Sequence, residues 1–247
     1  MAENSVTIIG TNRLAFELAD LCKANGLNAA LRPEPDDLSP TSPVVIETFA
    51  LNAARKQSML EILDDFLAPT SVILASCLGS AVTYMAARLR RPERVVGFAT
   101  FYPIKDRKII ELAAGMRTAD AMNKAEAFFT TLGKETVRVK DTAGLTFPRI
   151  LSLIINEAAR ALDEGVATAE EIDIAMRLGV NYPQGPLKWG DQIGLDEVLA
   201  VLEGLQQETG DDRYRPAPLL RKLVTAGFLG EVAGRGFYCY TEGQVKS

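Results

Sequence analysis

Gly97-Phe98-Ala99-Thr100-Phe101-Tyr102-Pro103-Ile104-Lys105-Asp106-Arg107-Lys108-Ile109-Ile110-Glu111 is the stretch on which the two halves of this 247-residue chain turn. Before it, the short apolar runs Val6–Ile9, Val44–Ile46, Val72–Ala75 and Val95–Phe98 alternate with segments whose apolar residues recur at helical spacing. That alternation is the pattern of a parallel sheet with helices on its faces. After it the spacing is helical, apart from one short strand at Thr136–Val139. The reading therefore predicts an α/β part over residues 1–103 and a helical part over 104–247.

Composition narrows the partners. Lys and Arg number 27 against 32 Asp and Glu, a net charge of −5. Nucleic acids and anionic membranes both select a basic face, so neither is expected. The first apolar run is too short for a signal-peptide core, and no run is long enough to span a bilayer. Cys22, Cys77 and Cys239 share no metal-ligand spacing, which predicts reduced thiols, no metal site and a cytoplasmic location. The chain has no histidine. The commonest general base and the commonest metal ligand are both missing.

Val6-Thr7-Ile8-Ile9-Gly10 reads as a buried strand entering a tight turn, followed by a helix from about Arg13 to Ala24. This is the opening of a Rossmann-like βαβ unit. Its fingerprint, G-x-G-x-x-G, needs the second glycine so that a pyrophosphate can approach the backbone. In Gly10-Thr11-Asn12-Arg13-Leu14-Ala15 only the first glycine is present. Gly10, Thr11 and Arg13 are the candidate dinucleotide contacts; the other reading is a plain strand–turn–helix. The next strand, Asn28–Leu31, ends in Arg32-Pro33 where a ribose-binding acid is expected. Beyond the strand Ser71–Ser76, Ser80 reads as the N-cap of a helix over Ala81–Leu89. A helix over Ala119–Leu132 closes at Gly133.

Further blocks carry a resemblance. They are Leu132-Gly133-Lys134…Lys140-Asp141-Thr142-Ala143-Gly144, Asn156-Glu157-Ala158…Asp163-Glu164-Gly165-Val166-Ala167…Glu171-Ile172-Asp173, Pro183-Gln184-Gly185-Pro186-Leu187…Asp191…Gly194-Leu195-Asp196, and Gly234-Arg235-Gly236-Phe237-Tyr238-Cys239-Tyr240. In this order they resemble the 3-hydroxyacyl-CoA dehydrogenase family, and in particular the second, reduced-Rossmann half of its two-repeat 3-hydroxybutyryl-CoA dehydrogenases. The resemblance implies an abridged Rossmann-like domain followed by an all-α, 6-phosphogluconate-dehydrogenase-like helical domain. It also implies NAD as cofactor, an acyl-CoA ligand, and a homodimer through the helical domain or pairing with a related dehydrogenase chain. The apolar run Ile150, Leu151, Leu153, Ile154, Ile155 is expected to be buried in a helix shared between subunits.

Carried over by position, Glu111 keeps the place of the carboxylate that orients the family's catalytic histidine, and Ala99 stands where that histidine belongs. Gly79 takes the place of a substrate-binding serine, with Ser80 able to serve by a one-residue shift. Tyr102 replaces an asparagine, and Pro148 replaces the asparagine before the retained Arg149. Lys56 matches a lysine that follows the third strand. Two expectations stay open. In one the chain is a weak or altered dehydrogenase, with Glu111 or Tyr102 moving the proton. In the other it is a non-catalytic, dimerising or acyl-CoA-binding subunit that assists a full-length dehydrogenase.

Overall fold

The computed structural model describes residues 5–50, 53–115 and 120–240. The chain forms two compact units, Met1–Phe147 and Pro148–Ser247.

The first unit is built on strands β1 (Ser5–Ile9), β2 (Asn28–Arg32), β3 (Val44–Glu47), β4 (Val72–Ser76), β5 (Val95–Ala99), β6 (Ile109–Ala114) and β7 (Glu135–Val139). They form one sheet in the order β2-β1-β3-β4-β5-β6-β7. The first five are parallel, β6 runs antiparallel to β5, and β7 is parallel to β6. Helices α1 (Arg13–Ala24), α2 (Ala53–Phe66), α3 (Val82–Met85) and α4 (Ala121–Thr131) cover it. Strand residues two apart share a face. Val6 and Ile8, Val72 and Leu74, Val96 and Phe98, Ile110 and Leu112 accordingly form one core with Leu14 and Leu18 of α1 and Phe128 and Phe129 of α4. No helix or strand intervenes between β2 and β3, so this connection is as short as the sequence implied.

Three expectations need correction. The boundary lies at Phe147/Pro148, not at 103/104, because β6 and β7 hydrogen-bond into the sheet and α4 packs on it. Glu111 lies inside a strand, because antiparallel pairing to β5 satisfies its backbone. The helix expected over Ala81–Leu89 is only α3, and Ser80 does not cap it. Ser80 Oγ contacts the Ala81 carbonyl at 3.4 Å. The amides of Val82 and Thr83 instead donate to the Asp141 carboxylate at 2.7 and 2.8 Å. A charged carboxylate from far along the chain outcompetes the adjacent hydroxyl as an acceptor. The expected start of the helix at Ala119 lies outside the described residues; its end is as expected, with Gly133 at φ +69°.

The second unit holds α5 (Phe147–Asp163), α6 (Ala169–Val180), α7 (Pro186–Ile193), α8 (Leu195–Thr209) and α9 (Pro218–Thr225). Buried carboxylates tie it together. Asp173 of α6 accepts the amides of Leu187 and Lys188 at the start of α7 and the Tyr238 hydroxyl. Asp191 of α7 accepts the amides of Phe237 and Tyr238 and the Tyr240 hydroxyl. A Cβ on Gly236 would sit 2.0 Å from Asp191 Oδ1, so only glycine lets the strand-like tail close on α7. On α5, Leu151 and Ile155 are buried within the chain, while Ile150 is 53% exposed. Among the described residues no helix is long and apolar enough to cross a membrane.

Candidate functional site

The end of β5 and the start of β6 bring the two diagnostic positions together. Ala99 and Glu111 are directly paired across the antiparallel ladder. Opposed residues of such a pair lie about 4.5–5.5 Å apart at Cα, so a side chain at 99 would sit beside the carboxylate. Ala99 is buried and brings only a methyl group. The Glu111 carboxylate turns to the main chain instead. Its Oε2 accepts from the Thr146 amide at 2.7 Å and its Oε1 from the Phe147 amide at 3.0 Å. Burial pushes its pKa above the ordinary Glu value, and the two amides oppose that rise.

The turn between these strands is clamped from both sides. Tyr102–Pro103 is a cis peptide. The Glu17 carboxylate of α1 accepts the amides of Ile104 and Lys105 at 2.5 and 3.1 Å. The buried Lys134 ammonium donates to the carbonyls of Ile104, Lys105 and Arg107. Sequence reasoning missed both. Lys134 stood in a family block, but a contact to backbone carbonyls leaves no partner residue to recognise. Tyr102, offered as a substitute proton donor, has its ring under the Arg13 guanidinium, 3.9 Å from the centroid. Arg13, offered as a phosphate ligand, is thus stacked on an aromatic face. Arg107 lies over the Phe147 ring at 4.9 Å, and burial draws its pKa down.

The loop after β1 lies at the point where the chain leaves β1 for β2 on one side and returns as β3 on the other. In open α/β sheets ligands bind in the crevice at such a switch point. Gly10 is there in a backbone conformation with φ +155°, and a Cβ on it would meet Thr48 Oγ1 at 2.0 Å. Thr11 is exposed and Asn12 half-buried. Asn12 Oδ1 accepts the Ala15 amide at 3.1 Å, which caps α1. Its Nδ2 donates to the Thr48 carbonyl at 2.9 Å, and Thr48 Oγ1 donates back to Oδ1 at 3.0 Å. Arg32 ends β2, and its guanidinium donates to the neighbouring Leu31 carbonyl at 3.4 Å.

Lys56, expected among the cofactor contacts, is engaged within the chain. Its ammonium pairs with Glu47 at 2.5 Å and donates to the carbonyls of Phe49 and Ser76, both at 2.7 Å. A lysine has three donors, and all three are used. Burial pushes the Glu47 carboxyl upward in pKa while the Lys56 charge pulls it back. The pair braces the carboxyl ends of β3 and β4. Of the substrate candidates, Ser80 is half-buried with its hydroxyl on the Ala81 carbonyl. Cys77 and Leu78 are fully buried, with Cys77 Sγ in the space a Gly97 side chain would need. Arg149 lies in the second unit, where it donates to the Tyr214 hydroxyl and covers the Tyr214 ring. Pro148 falls in the first turn of α5, where its missing N–H is harmless. Among the described residues no group of three or more His, Cys, Asp and Glu could hold a metal ion.

Comparison with known proteins follows this division. Residues 144–240 match the family model of the 3-hydroxyacyl-CoA dehydrogenase C-terminal domain. Residues 32–142 match that of the 3-hydroxyacyl-CoA dehydrogenase NAD binding domain, a match that begins after the Gly10 loop. A probable 3-hydroxybutyryl-CoA dehydrogenase of Bacillus subtilis is 42% identical over 204 residues, 81% of this chain and 70% of the relative. A 3-hydroxybutyryl-CoA dehydrogenase of Bradyrhizobium diazoefficiens is 38% identical over 83% of this chain and 70% of its own length. The crystal structure of (S)-3-hydroxybutyryl-CoA dehydrogenase from Ralstonia eutropha superposes with a TM-score of 0.81 at 32% identity, covering 97% of this chain and 99% of that one. With both domain models matched in order and relatives of this similarity, the chain belongs to the 3-hydroxyacyl-CoA dehydrogenase family.

Proposed function

We propose that this chain is a member of acyl-CoA metabolism that does not transfer hydride on its own, and that it works as a dimerising or acyl-CoA-binding companion of a full-length dehydrogenase. The observation that carries this reading is the Ala99–Glu111 pair. The carboxylate that would orient an imidazole stands opposite a methyl group, in a chain without histidine. Loss of a positioned general base alone lowers rate by about 10²–10⁴-fold. Neither substitute offered by the sequence is well placed for it. Both Glu111 oxygens accept backbone amides, and the Tyr102 ring is covered by Arg13. The relatives named 3-hydroxybutyryl-CoA dehydrogenase support acyl-CoA metabolism as the setting.

The loop after β1 does not fit the family's dinucleotide either. The place of the second glycine holds an amide side chain bonded to Thr48, and the place of the ribose-binding acid holds Arg32. Were the reduced dinucleotide bound, it would supply the hydride, and Gly10, Thr11 and Arg13 are the residues that the family reading sets facing it.

NADH consumption by the purified chain with acetoacetyl-CoA tests the reading, run beside Glu111→Gln. The expected result is no turnover in either. Turnover that disappears in the variant would make Glu111 the proton carrier and restore the dehydrogenase.

A further inference from the structure

We infer that Asn12 and Thr48 form a latch that shuts the dinucleotide crevice of this sheet from within. The two residues satisfy each other across the switch point: Asn12 Nδ2 donates to the Thr48 main-chain carbonyl at 2.9 Å, and Thr48 Oγ1 donates to Asn12 Oδ1 at 3.0 Å. Their residues belong to different elements. Asn12 opens α1, and Thr48 follows the last residue of β3. The Thr48 amide donates to the Ile9 carbonyl at 3.1 Å, and the hydroxyl, whose single proton is shared between this carbonyl at 3.2 Å and Asn12 Oδ1, lies beside it, which seats Thr48 against the end of β1. Thr48 is fully buried, so this is a packed element of the structure and not a surface rotamer.

The latch opposes a pyrophosphate in three ways. It fills the volume that the second fingerprint glycine leaves empty for the phosphates. It gives the Ala15 amide, one of the donors at the helix N-terminus that would face an anion, to Asn12 Oδ1. It sets that amide oxygen, an acceptor with no proton to offer, where phosphate oxygens would approach. Thr48 Oγ1 also occupies the space over Gly10, 2.0 Å from the position of a Cβ there. A ligand must break the Asn12–Thr48 bonds before it can reach the backbone. The latch involves no group at position 99, so it stands apart from the loss of the general base.

The test is a fluorescence titration of the full chain with NADH, and in parallel with NADPH because Arg32 ends β2. Wild type, Asn12→Gly and Thr48→Val are compared. Glycine is well tolerated at an N-cap, so the first variant is expected to fold. Thr48→Val keeps the shape and removes the hydroxyl, and thermal melting checks that each variant is folded. Net hydrogen bonds of ~1 kcal/mol each translate into a gain in NADH or NADPH affinity of about fivefold for Thr48→Val, which loses one latch bond, and about thirtyfold for Asn12→Gly, which loses both. Wild type binding either cofactor as tightly as Asn12→Gly would overturn the latch. So would folded variants that bind neither more tightly. Adding acetoacetyl-CoA separates this inference from the proposed function. Cofactor bound by wild type as tightly as by Asn12→Gly, without turnover, sinks only the latch. Asn12→Gly that binds NADH and still leaves it unoxidised upholds both.

Discussion

At the scale of single residues, the site is defined by what Glu111 does once its partner is gone. Its carboxylate accepts two backbone amides, and burial raises its pKa above the ordinary 4.5. An acid whose pKa is higher in the folded state favours folding when protonated. Its contribution is full below the ordinary value and is lost as pH rises through the raised one. Wild type is therefore expected to lose stability relative to Glu111→Gln as pH rises from the acid side of 4.5 toward neutrality. Urea midpoints of both proteins across that range check the sign; a gap that stays constant would mean Glu111 does not titrate differently on folding. The sequence located Glu111 by its distance from position 99. That the two are ladder partners, and that the carboxylate serves the main chain, could not be read from spacing, because strand register is a tertiary property.

At the scale of elements, distant carboxylates do the capping that adjacent residues were expected to do. Asp141 accepts the first amides of α3 from 59 and 58 positions away, while Ser80, next to the helix, does not. Asp141→Ala is expected to lower stability by about 1–3 kcal/mol, because charge-assisted bonds to two helix-terminal amides are lost. Ser80→Ala is expected to stay within about 0.5 kcal/mol of wild type. Chemical denaturation of the two variants distinguishes the assignments; equal effects would return the cap to Ser80. The Asn12–Thr48 pair follows the same rule, joining residues 36 positions apart. Asn12 was visible as a departure from the glycine fingerprint. Its partner was not, since a threonine after a strand carries no signal of its own.

At the scale of the whole molecule, the chain keeps both family domains. The helical unit exposes apolar side chains on α6, with Ile174 50% and Leu178 76% accessible one helical turn apart. In the proposed companion role this face is covered by a second subunit. Sedimentation equilibrium is expected to give twice the 26.8 kDa chain mass, and Leu178→Glu to shift it toward the monomer with an unchanged circular dichroism spectrum. A monomeric wild type would remove self-association from the proposal and leave pairing with a related chain.

The sequence by itself determined the order of the first five strands with α1 and α2, the absence of a helical excursion between β2 and β3, the ordered family blocks of the second half and the missing histidine. These are local: periodicity, turn residues and residue identity are written along the chain. Tertiary structure alone decided where the first unit ends, since β6 and β7 become part of it only by pairing with β5 and with each other. It alone decided that Lys56 is consumed by Glu47 and two carbonyls, that Arg13 lies on Tyr102, and that Asn12 is bonded to Thr48. A buried donor or acceptor must be satisfied, and the partner that satisfies it is whichever group the packed chain brings within reach.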